Sequence, residues 1–216
     1  MGIERIPAWV ADTNAYLVHN DSGIGLLVDA PPDPDEIGAH IARLDVAVVG
    51  ILLTHGHIDH IGGAGKLSAV SGAVTYAHPD DDFLTMHPTE QLRAMFALAP
   101  PGSYEVPETI EELSHGQILE LAGVSLEVRH TPGHTPGHCC FYWGSEGVLF
   151  TGDQLFAGSV GRTDLPGGSW DRLLVSMREQ VMTLDDEVRV LPGHGPETTI
   201  ARERATNPFR DQWAEI

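Results

Sequence analysis

Lysine is almost missing. Lys66 is the only one, and with the arginines it makes 12 basic residues against 31 acidic ones, a net charge of −19. A protein that grips DNA or RNA through phosphates needs clustered basic side chains. The arginines here are scattered, so no nucleic-acid partner is expected, and the excess negative charge reads as a solvated surface. Cysteine is nearly as scarce. Cys139 and Cys140 are neighbours in an apparent strand, where adjacent side chains point to opposite faces, so they do not suit a disulfide. Both are expected as buried core thiols, which fits a reducing, cytoplasmic setting. No apolar run approaches transmembrane length. The start, MGIERIPAWV, lacks the basic-then-apolar order of a signal peptide, so neither a membrane partner nor export is expected.

What is present suffices for a core. The 216 residues are 42% hydrophobic and 20% charged, which suits a single domain over 1–216 with a modest insertion. Trp9 to Val18 and Gly25 to Val28 read as strands joined by a turn over His19–Gly23. Pro31, Pro32 and Pro34 precede a helix near Asp35 to Leu44. Val46 to Leu53 is a continuous apolar run, the signature of a buried central strand, and it ends at Thr54 and a histidine cluster. A helix over Gly62–Ser71 and a strand over Val74–Ala77 follow. A partly helical insertion spans about 80–107, with one helix around Glu90–Leu98, and reads as a cover over the site. Strands resume at Ile118–Leu121, Val124–Arg129, His138–Tyr142 and Val148–Thr151. Leu173, Met177, Val181 and Leu184 mark one face of a helix starting near Ser169. A last strand, Val188–Leu191, precedes a helix over Thr199–Ala205 that Asn207-Pro208 stops. This mixed order points to an α/β architecture of two packed sheets with helices outside.

Each chemically telling residue follows a strand. Thr54-His55-Gly56-His57-Ile58-Asp59-His60 places three histidines and a carboxylate within six residues, a density packing alone does not explain. His55 and His57 alternate and reach one side of a loop, while Asp59 and His60 serve a second ion beside the first. Three later turns each add one ligand type: Thr131-Pro132-Gly133-His134, Phe150-Thr151-Gly152-Asp153 and Pro192-Gly193-His194-Gly195. Glycine lets each backbone bend tightly there.

In this pattern the chain resembles the metallo-β-lactamase superfamily, and within it the short glyoxalase II-like (hydroxyacylglutathione hydrolase-like) hydrolases. The family pattern HxHxDH, His, Asp, His falls on His55, His57, Asp59, His60, His134, Asp153 and His194. Thr13-Asn14-Ala15-Tyr16-Leu17 resembles the family's first strand, Gly161-Arg162-Thr163-Asp164 its loop after the aspartate, and Gly195-Pro196-Glu197-Thr198-Thr199-Ile200 its ending. The resemblance implies an αββα four-layer sandwich of two mixed sheets. It implies two divalent ions, zinc foremost with iron or manganese as alternatives. His55, His57 and His134 would hold one ion, Asp59, His60 and His194 the other, with Asp153 between them. The implied reaction is attack of a metal-held hydroxide on a small-molecule hydroxyacyl thioester, with Asp59 also catalytic through orienting that hydroxide. Arg162 is a candidate for binding a substrate carboxylate or pairing with Asp164.

Competing readings stand beside it. Iron persulfide dioxygenases share the HxHxDH frame and the Gly-Arg-Thr-Asp loop, but continue with Phe-Gln where this chain has Leu165-Pro166. Lactonases and phosphodiesterases share the fold, which alone does not fix a substrate. Of the other histidines, His138 repeats the PGH motif but comes second to His134. His130 reads as a supporting or core residue and His78 as a loop cap. His19, His40, His87 and His115 read as surface. Nothing in the sequence speaks to oligomeric state.

Overall fold

The computed structural model describes residues 1–95 and 98–214. The chain divides into two compact units, Met1–Leu113 with Glu120–Val124, and Ser114–Leu119 with Ser125–Ile216.

The first unit is built on six strands: β1 (Gly2–Ala8), β2 (Thr13–His19), β3 (Ile24–Val28), β4 (Ala47–Leu52), β5 (Val74–Ala77) and β6 (Ile110–Glu112), hydrogen-bonded in that order. The first three run antiparallel and β3 to β6 run parallel, so the sheet is mixed. The strand expected from Trp9 starts at Thr13 instead. Trp9 and Asp12 take positive φ, and the four residues Trp9–Asp12 close a turn, with the Asp12 amide donating to the Trp9 carbonyl (3.2 Å). That turn leads back into β1, an edge strand that carries Pro7 where no ladder donor is needed.

Parallel β4 is the apolar run, and Ile51, Leu52 and Leu53 are buried. Such side chains each contribute roughly 1.5–3 kcal/mol on burial. Around the sheet lie α1 (Pro34–Arg43), α2 (Ile58–Ile61), α3 (Ala64–Ser71), α4 (Asp82–Thr85) and α5 (Pro88–Met95). Asp33 caps α1 by accepting from the Glu36 amide, with Pro34 at the first helical position. Ile37, Ile58, Ile61, Ala64 and Leu67 join one core with the inner strand residues. The insertion holds two short helices instead of one: α5 begins at Pro88, and Phe96 and Ala97 of the expected helix lie outside the described residues.

A second mixed sheet lies in the second unit apart from Glu120, Leu121 and Val124. Its strands are β7 (Ile118–Leu121), β8 (Val124–His130), β9 (Cys139–Trp143), β10 (Val148–Gly152), β13 (Arg189–Pro192) and β14 (Thr198–Thr199). They are ordered β14-β13-β10-β9-β8-β7, with β10 and β13 parallel. A two-stranded ribbon, β11 (Leu155–Phe156) and β12 (Ser159–Val160), follows β10. Ser169 caps α6 (Trp170–Ser176), which continues as a π turn over Met177–Val181. The apolar positions Leu173, Met177 and Val181 recur every fourth residue, slower than the 3.6 of an α-helix. The wider π turn keeps all three buried on one face. Thr199 caps α7 (Ile200–Thr206), and α8 (Arg210–Ala214) follows Asn207-Pro208. No helix among the described residues is long and apolar enough to cross a membrane.

Cys139 and Cys140 form no disulfide and are fully buried, as the strand pattern indicates. Burial pushes the Cys140 thiol up to about 12, although Thr131 and Arg129 pull against it. A thiolate is the reactive form. We therefore expect neither thiol to react with a disulfide reagent at pH 8 in the native protein and both to react in denaturant. Rapid native labelling at Cys140 would contradict this burial.

Candidate metal centre

In the first unit, β4 ends at Leu52, and Leu53 and Thr54 lead into the loop that carries His55 and His57. Asp59 and His60 sit in the first turn of α2. The sequence motif is thus a strand-to-helix loop, which brings its four candidate ligands together. The His55 ring lies 4.9 Å from His57 and 4.1 Å from His60, centroid to centroid. Asp59 Oδ2 is 3.5 Å from His60 Nε2 and accepts from Thr13 Oγ1 (3.2 Å). Thr13, the first residue of the TNAYL strand, therefore fixes the rotamer of Asp59.

Asp29, at the end of β3, is the residue the motif search missed. It is buried at φ +60°. Its carboxylate accepts from the Thr54 amide (2.8 Å), from Thr54 Oγ1 (2.8 and 3.0 Å) and from His60 Nδ1 (2.8 Å). These partners fix protons. A carboxylate only accepts, so His60 carries its proton on Nδ1 and its lone pair on Nε2. The Thr54 hydroxyl spends its one proton on Asp29. The 3.0 Å contact between His55 Nδ1 and Thr54 Oγ1 is then donated by His55, which also puts that lone pair on Nε2.

In the second unit, His134 follows β8, Asp153 follows β10 and His194 follows β13. Asp153 Oδ2 lies 3.5 Å from His134 Nε2 and 3.7 Å from His194 Nε2. His134 Nδ1 donates to the Arg162 carbonyl (2.7 Å), which again leaves the lone pair on Nε2. Gly161 makes this possible: a Cβ there would run into the Asp153 carbonyl and sit 3.2 Å from His134 Nδ1. His138 is buried, with Nδ1 on Thr131 Oγ1 (2.8 Å) and Nε2 accepting the Asp153 amide (3.1 Å). Both of its ring nitrogens thus serve the chain. His130 Nε2 bonds the Pro136 carbonyl (2.8 Å), and His78 caps its 3-10 turn by accepting from the Asp80 amide. Arg162 is exposed and forks onto Asp164 with two 2.7 Å bonds. That pairing lowers the Asp164 carboxyl to about 2.

These donors fit divalent metal ions. With Nδ1–H engaged, a neutral imidazole presents its Nε2 lone pair, and a carboxylate oxygen 3.5 Å away offers a second donor to the same cation. Histidines that give Nδ1–H to a carboxylate, hydroxyl or carbonyl are arranged as metal ligands ordinarily are.

A family model described as the metallo-beta-lactamase superfamily matches residues 8–194. The hydroxyacylglutathione hydrolase GloC of Haemophilus influenzae is 34% identical over 97% of this chain and 98% of its own length. The crystal structure of the BLEG-1 B3 metallo-beta-lactamase superposes with a TM-score of 0.89 at 32% identity, covering 97% of this chain and 99% of that one. The structure of TTHA1623 in a di-iron-bound form gives 0.85 at 37% identity, covering 95% and 99%. The α/β fold class expected from the sequence is thereby established.

Proposed function

This chain belongs to the metallo-β-lactamase superfamily, and from that premise we propose that it is a metal-dependent hydrolase of hydroxyacyl thioesters, of the glyoxalase II kind. The observation that carries the metal-dependent reading is that Nδ1 of His55, His60 and His134 each bonds an oxygen of the chain. In each, the chain takes Nδ1–H and turns the lone pair to Nε2. We assign His55, His57 and His134 to one ion, Asp59, His60 and His194 to a second, and Asp153 to both. Zinc is the proposed metal. Iron and manganese suit the same donors, and the di-iron form of TTHA1623 shows that a relative takes iron.

When bound, such ions supply a Lewis acid and acidify water to near neutrality. The chain's own residues do the rest. Asp59, steadied by Thr13, orients the attacking water toward the thioester carbonyl. The thiolate leaves without a strong general acid, because thiols are acidic enough to depart as anions. Arg162 is the proposed substrate-binding residue: its guanidinium is exposed and only part of its fork is taken by Asp164. The small-molecule thioester is favoured by the GloC relationship along nearly the whole chain. The buried thiols, neither in a disulfide, favour a cytoplasmic setting.

The test is a screen on protein of measured metal content. Its substrates are S-lactoylglutathione and simpler thioesters, a lactone, a cephalosporin and a phosphodiester, with oxygen uptake on glutathione persulfide run in parallel. We expect thioester turnover with kcat/KM on the order of 10⁴ M⁻¹s⁻¹ or above, exceeding every other substrate. Inert thioesters would overturn the assignment. Fast oxygen consumption with one iron per chain would replace it by a persulfide dioxygenase, and a dominant cephalosporin rate by the activity in BLEG-1's name.

A further inference from the structure

The motif loop is gripped from a direction the ligand pattern does not announce. Gln91 on α5 is buried, and its single carboxamide reaches both peptide groups that flank His57. Its Oε1 accepts from the Ile58 amide (3.0 Å), while its Nε2 donates to the Gly56 carbonyl (2.8 Å) and to the Leu84 carbonyl (2.9 Å). Asp81, also buried, accepts the Gly56 amide at Oδ2 (2.8 Å), which fixes the peptide between His55 and Gly56. Three consecutive peptide planes are thus held by two side chains of the insertion. Gly56 permits the approach: a Cβ there would lie 2.8 Å from Leu84 Cβ, 3.0 Å from Thr85 Oγ1 and 3.1 Å from Asp81 Cβ.

We propose that Gln91, with Asp81, is a positioning residue that sets the direction of His57, so that the insertion tunes how tightly the loop holds its ion. The inference rests on the proposed metal-binding role of His57. Its physical basis is specific to an amide. Gln91 answers one backbone donor and two carbonyl acceptors, and a carboxamide is the neutral side chain that offers two N–H donors beside an acceptor oxygen. A glutamate at 91 keeps the acceptor but sets a carboxylate against two carbonyls. A methionine fills the space and makes neither bond. Leaving these buried backbone groups without partners releases the peptide planes that aim the imidazole.

The experiment compares wild-type protein with Gln91→Glu, Gln91→Met, Asp81→Asn and, as a control exposed on the same helix, Arg93→Ala. Each metal-stripped protein is titrated with cobalt(II) against a chromophoric chelator, the visible cobalt bands are recorded, and the thermal midpoint of the metal-free form is measured. We expect both Gln91 variants to lose about 10- to 100-fold in cobalt affinity, the range seen when a residue supporting a ligand is removed, with altered cobalt bands. Asp81→Asn, which keeps an acceptor, should lose less than either Gln91 variant, and the control should match wild type. Gln91 variants that melt lower but bind cobalt with wild-type affinity and spectrum would overturn the inference and make Gln91 purely structural. Should Gln91→Glu not fold, Gln91→Met carries the same comparison. A wild-type protein that binds no cobalt would overturn the metal-binding reading itself, and this inference with it.

Discussion

Asp153→Ala is expected to bind at most one divalent ion per chain where the native protein is expected to bind two, and to lose about a thousandfold in kcat/KM on its best thioester. Asp153 Oδ2 stands between His134 Nε2 and His194 Nε2 at 3.5 and 3.7 Å, and in the proposed assignment it serves both ions. Metal-borne charge stabilisation is worth several kcal/mol, and each 1.36 kcal/mol is tenfold in rate. Folding should survive the change. The Asp153 amide keeps its bond to His138, and the ribbon beyond it is paired on its own. The variant should also melt with a smaller rise on adding metal than the native protein, because stabilisation by a ligand scales with its affinity. Elemental analysis with steady-state kinetics checks the prediction. Two ions retained with native kcat/KM would remove Asp153 from the centre.

Asp29→Ala should destabilise the protein by roughly 3–9 kcal/mol. The substitution strips the acceptor from the Thr54 amide, the Thr54 hydroxyl and His60 Nδ1, all buried. Each buried group left unsatisfied costs about 1–3 kcal/mol. Alanine must also hold φ +60° without the short polar side chain that lets aspartate visit the left-handed region more readily. Against a total stability of about 5–15 kcal/mol, that loss is severe. Asp29→Asn separates the two duties. Asparagine tolerates the left-handed region and preserves the shape, but its amide cannot accept from every former partner. It should fold and yet bind metal about 10- to 100-fold more weakly, since His60 loses its orienting carboxylate. Urea unfolding and chelator competition on the two variants report these separately. An Asp29→Ala protein within about 1 kcal/mol of the native stability would contradict the role given to Asp29.

The candidate ligand loop is legible in the sequence because HxHxDH follows an apolar run, and a buried strand must end somewhere that side chains can converge. β4, β5 and β7 lie where their apolar patterning puts them. β1 was not legible: Glu4, Arg5 and Pro7 break its alternation, and an edge strand tolerates them because one side needs no partner. The turn at Trp9–Asp12 rests on two non-glycine residues at positive φ, which no residue type there announces. The supporting residues Asp29, Asp81 and Gln91 act alone, at no fixed spacing from the ligands. Only a polar residue closing an apolar strand, as Asp29 closes Ile24–Val28, offered a signal. His138 shows the converse. Its PGH motif is a near copy of His134's, but the Asp153 amide and the Thr131 hydroxyl occupy its two ring nitrogens.

The most direct test of the account is a titration of the metal-stripped protein with zinc, followed by the rate of S-lactoylglutathione hydrolysis at each addition. Two ions on His55, His57, Asp59, His60, His134, Asp153 and His194 predict a rate that climbs from near zero and levels at two equivalents per chain. A rate that is already full in the metal-free protein, or absent at every zinc level, would contradict it.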